Sequence, residues 1–548
     1  MIYIDFDNLN EKYTNLLDQI FKNNKKNYET FLKKNLIGEK FFFLSNFLSK
    51  DIFSNLSYIG YCQILFIEKL IKLTKGRIKI SVSNYYIYKN IRINFLSNKR
   101  LEIVCRNYWI SKIFIYPKII FKLFFLLNFI FWQLINKSNE RADKLKKKNY
   151  LNLYDTTFTS SCFKNKTFRD RYYKNDLFKK GNNFLCPENL LFKNTSSCLK
   201  ILKKEKINCL YRFDFLNFLD YFTCLYKVIF TSFLKIDKLN NKNIKYLIFY
   251  YNLNNICNLN YFVGLLNYFF FSNLYERKIK ILNIFHKFEN QSAGKGFILG
   301  SKSFFPESKI IGICDYFINY DFSFSRIPLK YEVQNNLIPK ENILVSKNYA
   351  KYFKYHFHNF QLRFGTFRYK KYKSINNKKN NSFYKKFNIN VFLPIQKNET
   401  IKIIDQIKKI NFDENQKYQC QFYLKFHPNF NDDFKKKFLC LSKHNIFICE
   451  RKFESSMKRS NLNIAGASTS SIESILYRRP VLCPVNSFFI YDSPLINFVP
   501  KRLYSMYFNS NDLKRKIDKY VKLLSNKKHI RLLEKSFSKA KKKIIKDL

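Results

Sequence analysis

The residues best suited to chemistry lie in the last fifth of the sequence. The run Gly466-Ala467-Ser468-Thr469-Ser470-Ser471-Ile472-Glu473 places four consecutive hydroxyls between a short apolar stretch and a helical one that closes on Arg479-Pro480-Val481. A strand that ends in small residues, followed by hydroxyls at a helix start, offers backbone N–H groups and the positive end of a helix dipole to an anion. Small side chains let a phosphate approach that backbone. Glu473, one turn into the helix, has the reach to accept from a ribose hydroxyl. The same residues fit a capping box, with Ser470 as cap and Glu473 three residues later. Capping accounts for one serine and the glutamate but not for four hydroxyls in a row.

Three smaller groups accompany this run. Lys425-Phe426-His427-Pro428 ends a strand pattern, where the proline stops the strand and holds His427 at its mouth, placed to donate to a nucleotide phosphate or base. Phe288-Glu289-Asn290-Gln291 follows another strand pattern; Glu289 there is either a general base for an acceptor hydroxyl or a carboxylate at a helix start. Cys314-Asp315-Tyr316 follows a third, which makes Asp315 the competing base. Six histidines without a metal-ligand spacing give no reason to expect a zinc site.

In open parallel sheets ligands gather outside the carboxyl ends of strands, so each of these groups needs a strand directly before it. Apolar runs predict strands at Lys40–Leu44, Ile78–Val82, Leu151–Tyr154, Ile244–Phe249, Ile279–Ile284 and Lys309–Ile313. Further on they predict Ile389–Leu393, Gln419–Phe426, Ile446–Cys449, Leu462–Ala465 and Val481–Cys483, with helices at Glu399–Ile410 and Ser471–Tyr477. Residues 164–184 and Tyr369–Asn388 read as polar loops, and Asp512–Asp547 as a basic helical run. Strand and helix in alternation predict an α/β protein with parallel sheets.

A chain of 548 residues exceeds one compact core, and its boundaries are expected at 1–335, 336–510 and a basic helical segment 511–548. Hydrophobic residues at 46% exclude disorder over the whole length. The formal charge of +59 invites a nucleic-acid reading, but the basic residues are spread from end to end and track a bias towards A/T-rich codons, so no nucleic acid is expected. Thirteen scattered cysteines without C-x-x-C spacing fit a reducing compartment. No signal peptide is read at the start. Ile113–Ile135 is about long enough to span a bilayer, yet Pro117, Lys118, Lys122 and Asn128 interrupt it. Flanking lysines and Trp132 favour a helix lying in the cytoplasmic membrane interface, with a buried core helix as the alternative.

With these residues in view, the stretch Phe288–Pro339 together with Gly365–Tyr369, Leu393-Pro394-Ile395, Lys425–Pro428 and Ser468–Glu473 resembles the surface carbohydrate biosynthesis proteins of bacterial O-antigen clusters. These look like members of the GT-B glycosyltransferase superfamily. The His-Pro and paired-serine features are also similar to those of bacterial sialyltransferases and of glycerophosphotransferases that use cytidine nucleotides. The resemblance implies two Rossmann-like domains facing a cleft, with the apolar helical segment inserted in the N-terminal half. It assigns His427, Ser470 and Ser471 to a nucleotide-activated sugar donor, with Arg368 on its phosphates; from the residue pattern itself, Pro428, Ser468, Thr469 and Glu473 are expected at the same donor site. It implies transfer to a lipid-linked or oligosaccharide acceptor at the inner membrane surface, with no separate cofactor and no metal. The alternatives are a nucleotide-sugar 2-epimerase and a non-catalytic nucleotide-binding relative. The sequence departs from the pattern on the acceptor side: Ser292-Ala293-Gly294 stands where relatives have Pro-Trp-Glu, and Cys314-Asp315 where a Gln-His is common.

Overall fold

A computed structural model of the protein describes residues 1–7, 9–34, 56–146, 148–159, 162–163, 166–170, 172–188, 195–230, 238–317, 328–350, 353, 361–364, 372, 386–410, 418–427, 430, 432–466, 468–485 and 493–545. The strand expected at Lys40–Leu44, the Gly365–Tyr369 motif with Arg368, and Pro428 lie outside the described residues, as does most of the loop expected from Tyr369 to Asn388. The chain divides into two compact units. The first comprises residues 1–314, 323–344 and 349–363, and the second 315–322, 345–348 and 364–548.

The first unit opens with a small parallel sheet of β1 (Ile2–Asp5), β2 (Ile78–Val82) and β3 (Leu101–Cys105). Its main sheet contains β4 (Leu151–Thr156), β5 (Asn183–Pro187), β8 (Ile281–Lys287), β9 (Lys309–Cys314), β10 (Glu341–Leu344) and β11 (Gln361–Phe364); a two-stranded hairpin, β6 (Lys238–Leu239) and β7 (Lys242–Asn243), stands apart. The order across the sheet is β11-β10-β9-β8-β4-β5, and the pairings from β5 to β10 are parallel. Counted along the chain, β4 is the first strand. The second lies on one side of it and the third, β8, on the other, so the winding reverses between β4 and β8.

One strand expectation fails here. Ile244–Phe249 belongs to a helix, Lys245–Asn255. Its buried residues Leu247, Ile248, Tyr251, Asn252 and Asn255 recur at helical spacing, a rhythm that becomes visible only when the run is followed past Phe249. The loop expected over residues 164–184 also ends early, because β5 begins at Asn183.

The core of the first unit forms where helix Leu259–Glu276 crosses helix Ser292–Phe304 and both cover β4 and β8. Contact between these helices is backbone on backbone. A Cβ on Gly296 would stand 1.9 Å from the carbonyl oxygen of Gly264. The apolar segment is a helix, Ile115–Asn136, and buries only Ile115, Leu126, Phe129 and Ile130. That rules out the buried core helix. Among the described residues it is the one helix long and apolar enough to cross a membrane.

The second unit holds a six-stranded sheet of β12 (Lys386–Phe392), β13 (Gln419–Lys425), β14 (Ile446–Ile448), β15 (Leu462–Ala465), β16 (Val481–Pro484) and β17 (Tyr504–Tyr507). Its order is β14-β13-β12-β15-β16-β17, parallel throughout. Counted along the chain this is 3-2-1-4-5-6, the order of dinucleotide-binding sheets, with the reversal between β12 and β15. The basic helical run expected after residue 511 is two helices, Ser510–Ser525 and Lys527–Ile545, and both belong to this unit. Leu513, Ile517, Tyr520, Val521 and Leu524 form the buried stripe of the first, while Arg515, Lys519 and Lys522 are exposed.

Gly296→Ala is expected to lower unfolding stability by about 1–3 kcal/mol in a denaturant titration, because neither backbone can yield without opening the core. Gly76→Ala, where an added Cβ meets nothing within 4 Å, serves as the neutral control.

Candidate functional site

The hydroxyl run sits at the reversal point of the second unit's sheet. β15 ends at Ala465 and Ser468 is the cap of helix Thr469–Leu476, with extended backbone (φ −133°, ψ 160°). The Ser468 side chain makes no capping bond to the helix, so the capping box pairing Ser470 with Glu473 does not form. Instead the Ser468 and Ser470 hydroxyls contact each other. Ser471, fully buried, donates to the Ser468 carbonyl at 2.7 Å, and Ser474 donates to the Ser470 carbonyl at 2.7 Å while accepting from Asn463 Nδ2 at 2.9 Å.

The run therefore divides. Ser468 is exposed and Thr469 and Ser470 are half-buried, on the accessible side; Ser471 and Ser474 hold the turn together from within. Glu473 is buried and accepts from the Tyr372 hydroxyl at 2.8 Å, so at least one of its oxygens is engaged inside the protein.

The turn is fixed from its far side as well. Arg478, in left-handed backbone (φ 57°), ends the helix and pairs with Glu534 of helix Lys527–Ile545 at 2.6 Å. Arg479 is buried and donates to the carbonyls of Met457 and Lys458, each at 3.0 Å; burial lowers its pKa to about 10. His427 leaves β13 at the same edge of the sheet and is half-buried, its carbonyl accepting from Phe430 N–H at 3.0 Å. Since β12 lies between β13 and β15, two strand spacings, roughly 10 Å, separate the exits that carry His427 and the hydroxyl turn.

In the first unit Glu289 is half-buried two residues past β8. Its neighbour Lys287 donates to Thr157 Oγ1 at 2.7 Å and lies 3.6 Å from Glu188. Burial disfavours the charge on Lys287, but the carboxylates of Glu289 and Glu188 outweigh it and raise its pKa. Asp315, buried after β9, begins a segment that belongs to the second unit, so the two base candidates fall in different units.

The first unit also holds a constellation that the sequence reading did not identify. The register Tyr154↔Phe285 makes Asp155 and His286 neighbours across the β4–β8 reversal. Asp155 Oδ2 lies 2.6 Å from His286 Nδ1, and Oδ1 accepts from Arg212. Arg212 also donates to Asn267 Oδ1 at 2.6 Å and to the Cys186 carbonyl at 3.2 Å, and Asn267 donates to the Ala293 carbonyl at 2.8 Å. Phe297 lies under both groups, 4.5 Å from the guanidinium and stacked on the imidazole at 5.2 Å.

An Asp–His pair is acid–base equipment elsewhere, but here it is closed. His286 Nε2 is buried with no hydrogen-bond partner, and a Cβ on Gly294 would stand 3.0 Å from it. A side chain at 294 would press on the imidazole, which Asp155 and Phe297 hold in place, so the glycine of the Ser-Ala-Gly departure relieves a tight contact. The network braces β4, β8 and the helices above them.

Together the fold and these sites define an α/β protein of two parallel-sheet units, each with polar residues at its winding reversal and, among the described residues, with an exposed hydroxyl turn at the reversal of the second. Among the described residues no three His, Cys, Asp or Glu side chains gather as a metal-ion set. No protein-family model matches the chain, and no curated protein matches it. Solved structures similar to it include TarM, at 10% identity over 73% of this chain and 96% of that one, with a TM-score of 0.37. They also include alpha,alpha-trehalose 6-phosphate synthase from Burkholderia multivorans, at 9% identity over 73% and 96%, with a TM-score of 0.35. A third is the catalytic domain of starch synthase IV from Arabidopsis thaliana bound to ADP and acarbose, at 10% identity over 50% and 73%, with a TM-score of 0.30.

Burial alone would push the Asp155 carboxyl up, but the charges of Arg212 and His286 hold it below the usual carboxylate range. Ionised Asp155 therefore stabilises the fold above about pH 4, the unfolded value, and that contribution is lost as pH falls through the depressed folded value. Asp155→Asn is expected to cost about 3–5 kcal/mol at neutral pH by leaving Arg212 buried without its counter-charge. In urea titrations the gap from the unmodified protein should narrow only in strongly acidic buffer.

Proposed function

We propose that this protein transfers a sugar from a nucleotide-activated donor to a lipid-linked or oligosaccharide acceptor at the cytoplasmic face of the inner membrane, in the manner of GT-B glycosyltransferases of surface polysaccharide synthesis. The observation that carries this reading is the hydroxyl turn at the β12/β15 reversal, which opens a helix whose N-terminus its own cap side chain does not satisfy. Such a position favours phosphate by dipole, by backbone donors and by geometry.

In this reading Ser468, Thr469 and Ser470 and the backbone around them hold the donor phosphates, and His427 donates to the nucleotide from the β13 exit. Negative charge developing on the leaving nucleotide is met by the helix N-terminus and basic side chains. Glu289 or Asp315 takes the proton from the attacking hydroxyl. The donor is a substrate, and no separate cofactor is invoked. Ser471 and Glu473 move from ligand contacts to supports of the turn.

The test is thermal stabilisation of the purified chain by cytidine, uridine and guanosine nucleotides, followed by calorimetry on variants. Ser468→Ala with Ser470→Ala should weaken the stabilising nucleotide at least about tenfold without lowering the melting temperature. Ser471→Ala should lower the melting temperature and spare affinity in the fraction that folds. Unchanged affinity in the double variant overturns the donor site. Epimerisation of a nucleotide sugar with no acceptor present overturns the transfer reaction.

A further inference from the structure

The helix Ile115–Asn136 has two unlike sides. Leu126, Phe129 and Ile130 sink into the core of the first unit beside Leu151 and Phe262. Polar ties run along its length: Lys118 donates to Asn254 Oδ1 at 3.1 Å, Lys122 to the Asn254 carbonyl at 2.6 Å, and Gln133 Oε1 accepts from the Tyr221 hydroxyl at 2.8 Å. A helix held lengthwise in this way cannot turn to cross a bilayer without stripping the core beneath it. Its other side presents Phe121, Phe124, Phe131 and Trp132 to solvent.

Tyr221 belongs to a second helix, Phe218–Ile229, which repeats the pattern. It buries Tyr221, Cys224 and Val228 and turns Phe218, Leu219, Phe222 and Tyr226 outwards. The chain has two tryptophans, and both are exposed: Trp109, at 66%, is in the short helix Tyr108–Ile113 that runs directly into the first helix, and Trp132, at 54%, is in the first helix itself. So many exposed aromatic side chains on two helices joined by the Tyr221–Gln133 bond are a liability in water unless something covers them.

Charge identifies the cover. Residues 108–136 contain no Asp or Glu. The single acid of the second helix, Asp220, is turned back onto Asn217 N–H and Asn273 Nδ2, both at 2.7 Å. Lys112 stands 5.1 Å over the Trp109 ring, and Lys118 is exposed beside the aromatic face. Apolar aromatics, indoles at the ends and lysines without acids are the composition of a surface that lies in the headgroup region of an anionic leaflet.

We propose that the outward faces of the 115–136 and 218–229 helices form one platform that embeds in the plane of an anionic bilayer without crossing it. Both indoles sit at headgroup depth and the lysines meet lipid phosphates. This deepens the proposed function and rests on it for the choice of a membrane as partner; the exposed faces carry the rest.

The two tryptophans make the test direct. Full-length protein mixed with phosphatidylcholine vesicles containing phosphatidylglycerol should shift its tryptophan emission to shorter wavelength, and phosphatidylcholine alone or high salt should weaken the shift. Phe222→Glu changes only the second helix. It should reduce vesicle partitioning at least about tenfold, as should Phe124→Glu on the first, with circular dichroism and nucleotide stabilisation unchanged. Unshifted emission with anionic vesicles overturns the platform, and so does full binding by Phe222→Glu. Concentration-dependent dimerisation that Phe222→Glu abolishes, without vesicle binding, assigns the face to a second copy and also overturns it. Retention in membranes after alkaline carbonate extraction overturns in-plane docking in favour of a span. Nucleotide stabilisation is read in the same samples, so failure of the unmodified protein to bind anionic vesicles while that signal is intact counts against the platform alone.

Discussion

Parallel pairing is the constraint from which the rest of this molecule follows. Parallel strands cannot be joined by tight turns, so every strand must be followed by a crossover that returns the chain to the starting edge. All carboxyl ends then emerge on one side of each sheet, and the place where the winding reverses is left without a crossover above it. The β4/β8 pair and the β12/β15 pair occupy those places. Polar groups gather at both places, and in the first unit the helices packed over β4 and β8 leave room for them only where Gly294 lets the imidazole approach.

The two units use this vacancy in opposite ways. In the first, Asp155, Arg212 and His286 fill it with charge that is compensated internally, and Gly294 and Phe297 close over it. Such a knot is costly to break and offers no atom to a ligand. In the second, the hydroxyls nearest the strand are left towards solvent, while those one turn further in are spent on the backbone. Pre-organisation by buried serines and display by exposed ones are two halves of one arrangement.

Legibility in the sequence followed how local each signal was. β12, β13 and β15 stood out because apolar runs of strand length end in proline, glycine or small residues, and the hydroxyl run announced itself for the same reason. Which serines face outwards was not readable, because it depends on the helix beginning at Thr469 and four adjacent hydroxyls offer several equally good caps. Lys245–Asn255 was misread because a short apolar window carries no period. Asp155 and His286 passed unnoticed, since neither belongs to a local motif and 131 positions separate them; only strand order makes them a pair. The apolar segment was recognisable, whereas the matching face of the 218–229 helix was diluted by the buried tyrosine and cysteine on its reverse.

The Arg478–Glu534 pair has a temporal consequence. The hydroxyl turn is complete as sequence by residue 476, yet the helix it opens is gripped from behind by one that begins at Lys527. During synthesis, a nascent chain emerging from the ribosome would hold every residue of the turn some fifty positions before its brace exists. Bracing of the turn is thus deferred until the helix Lys527–Ile545 has been made.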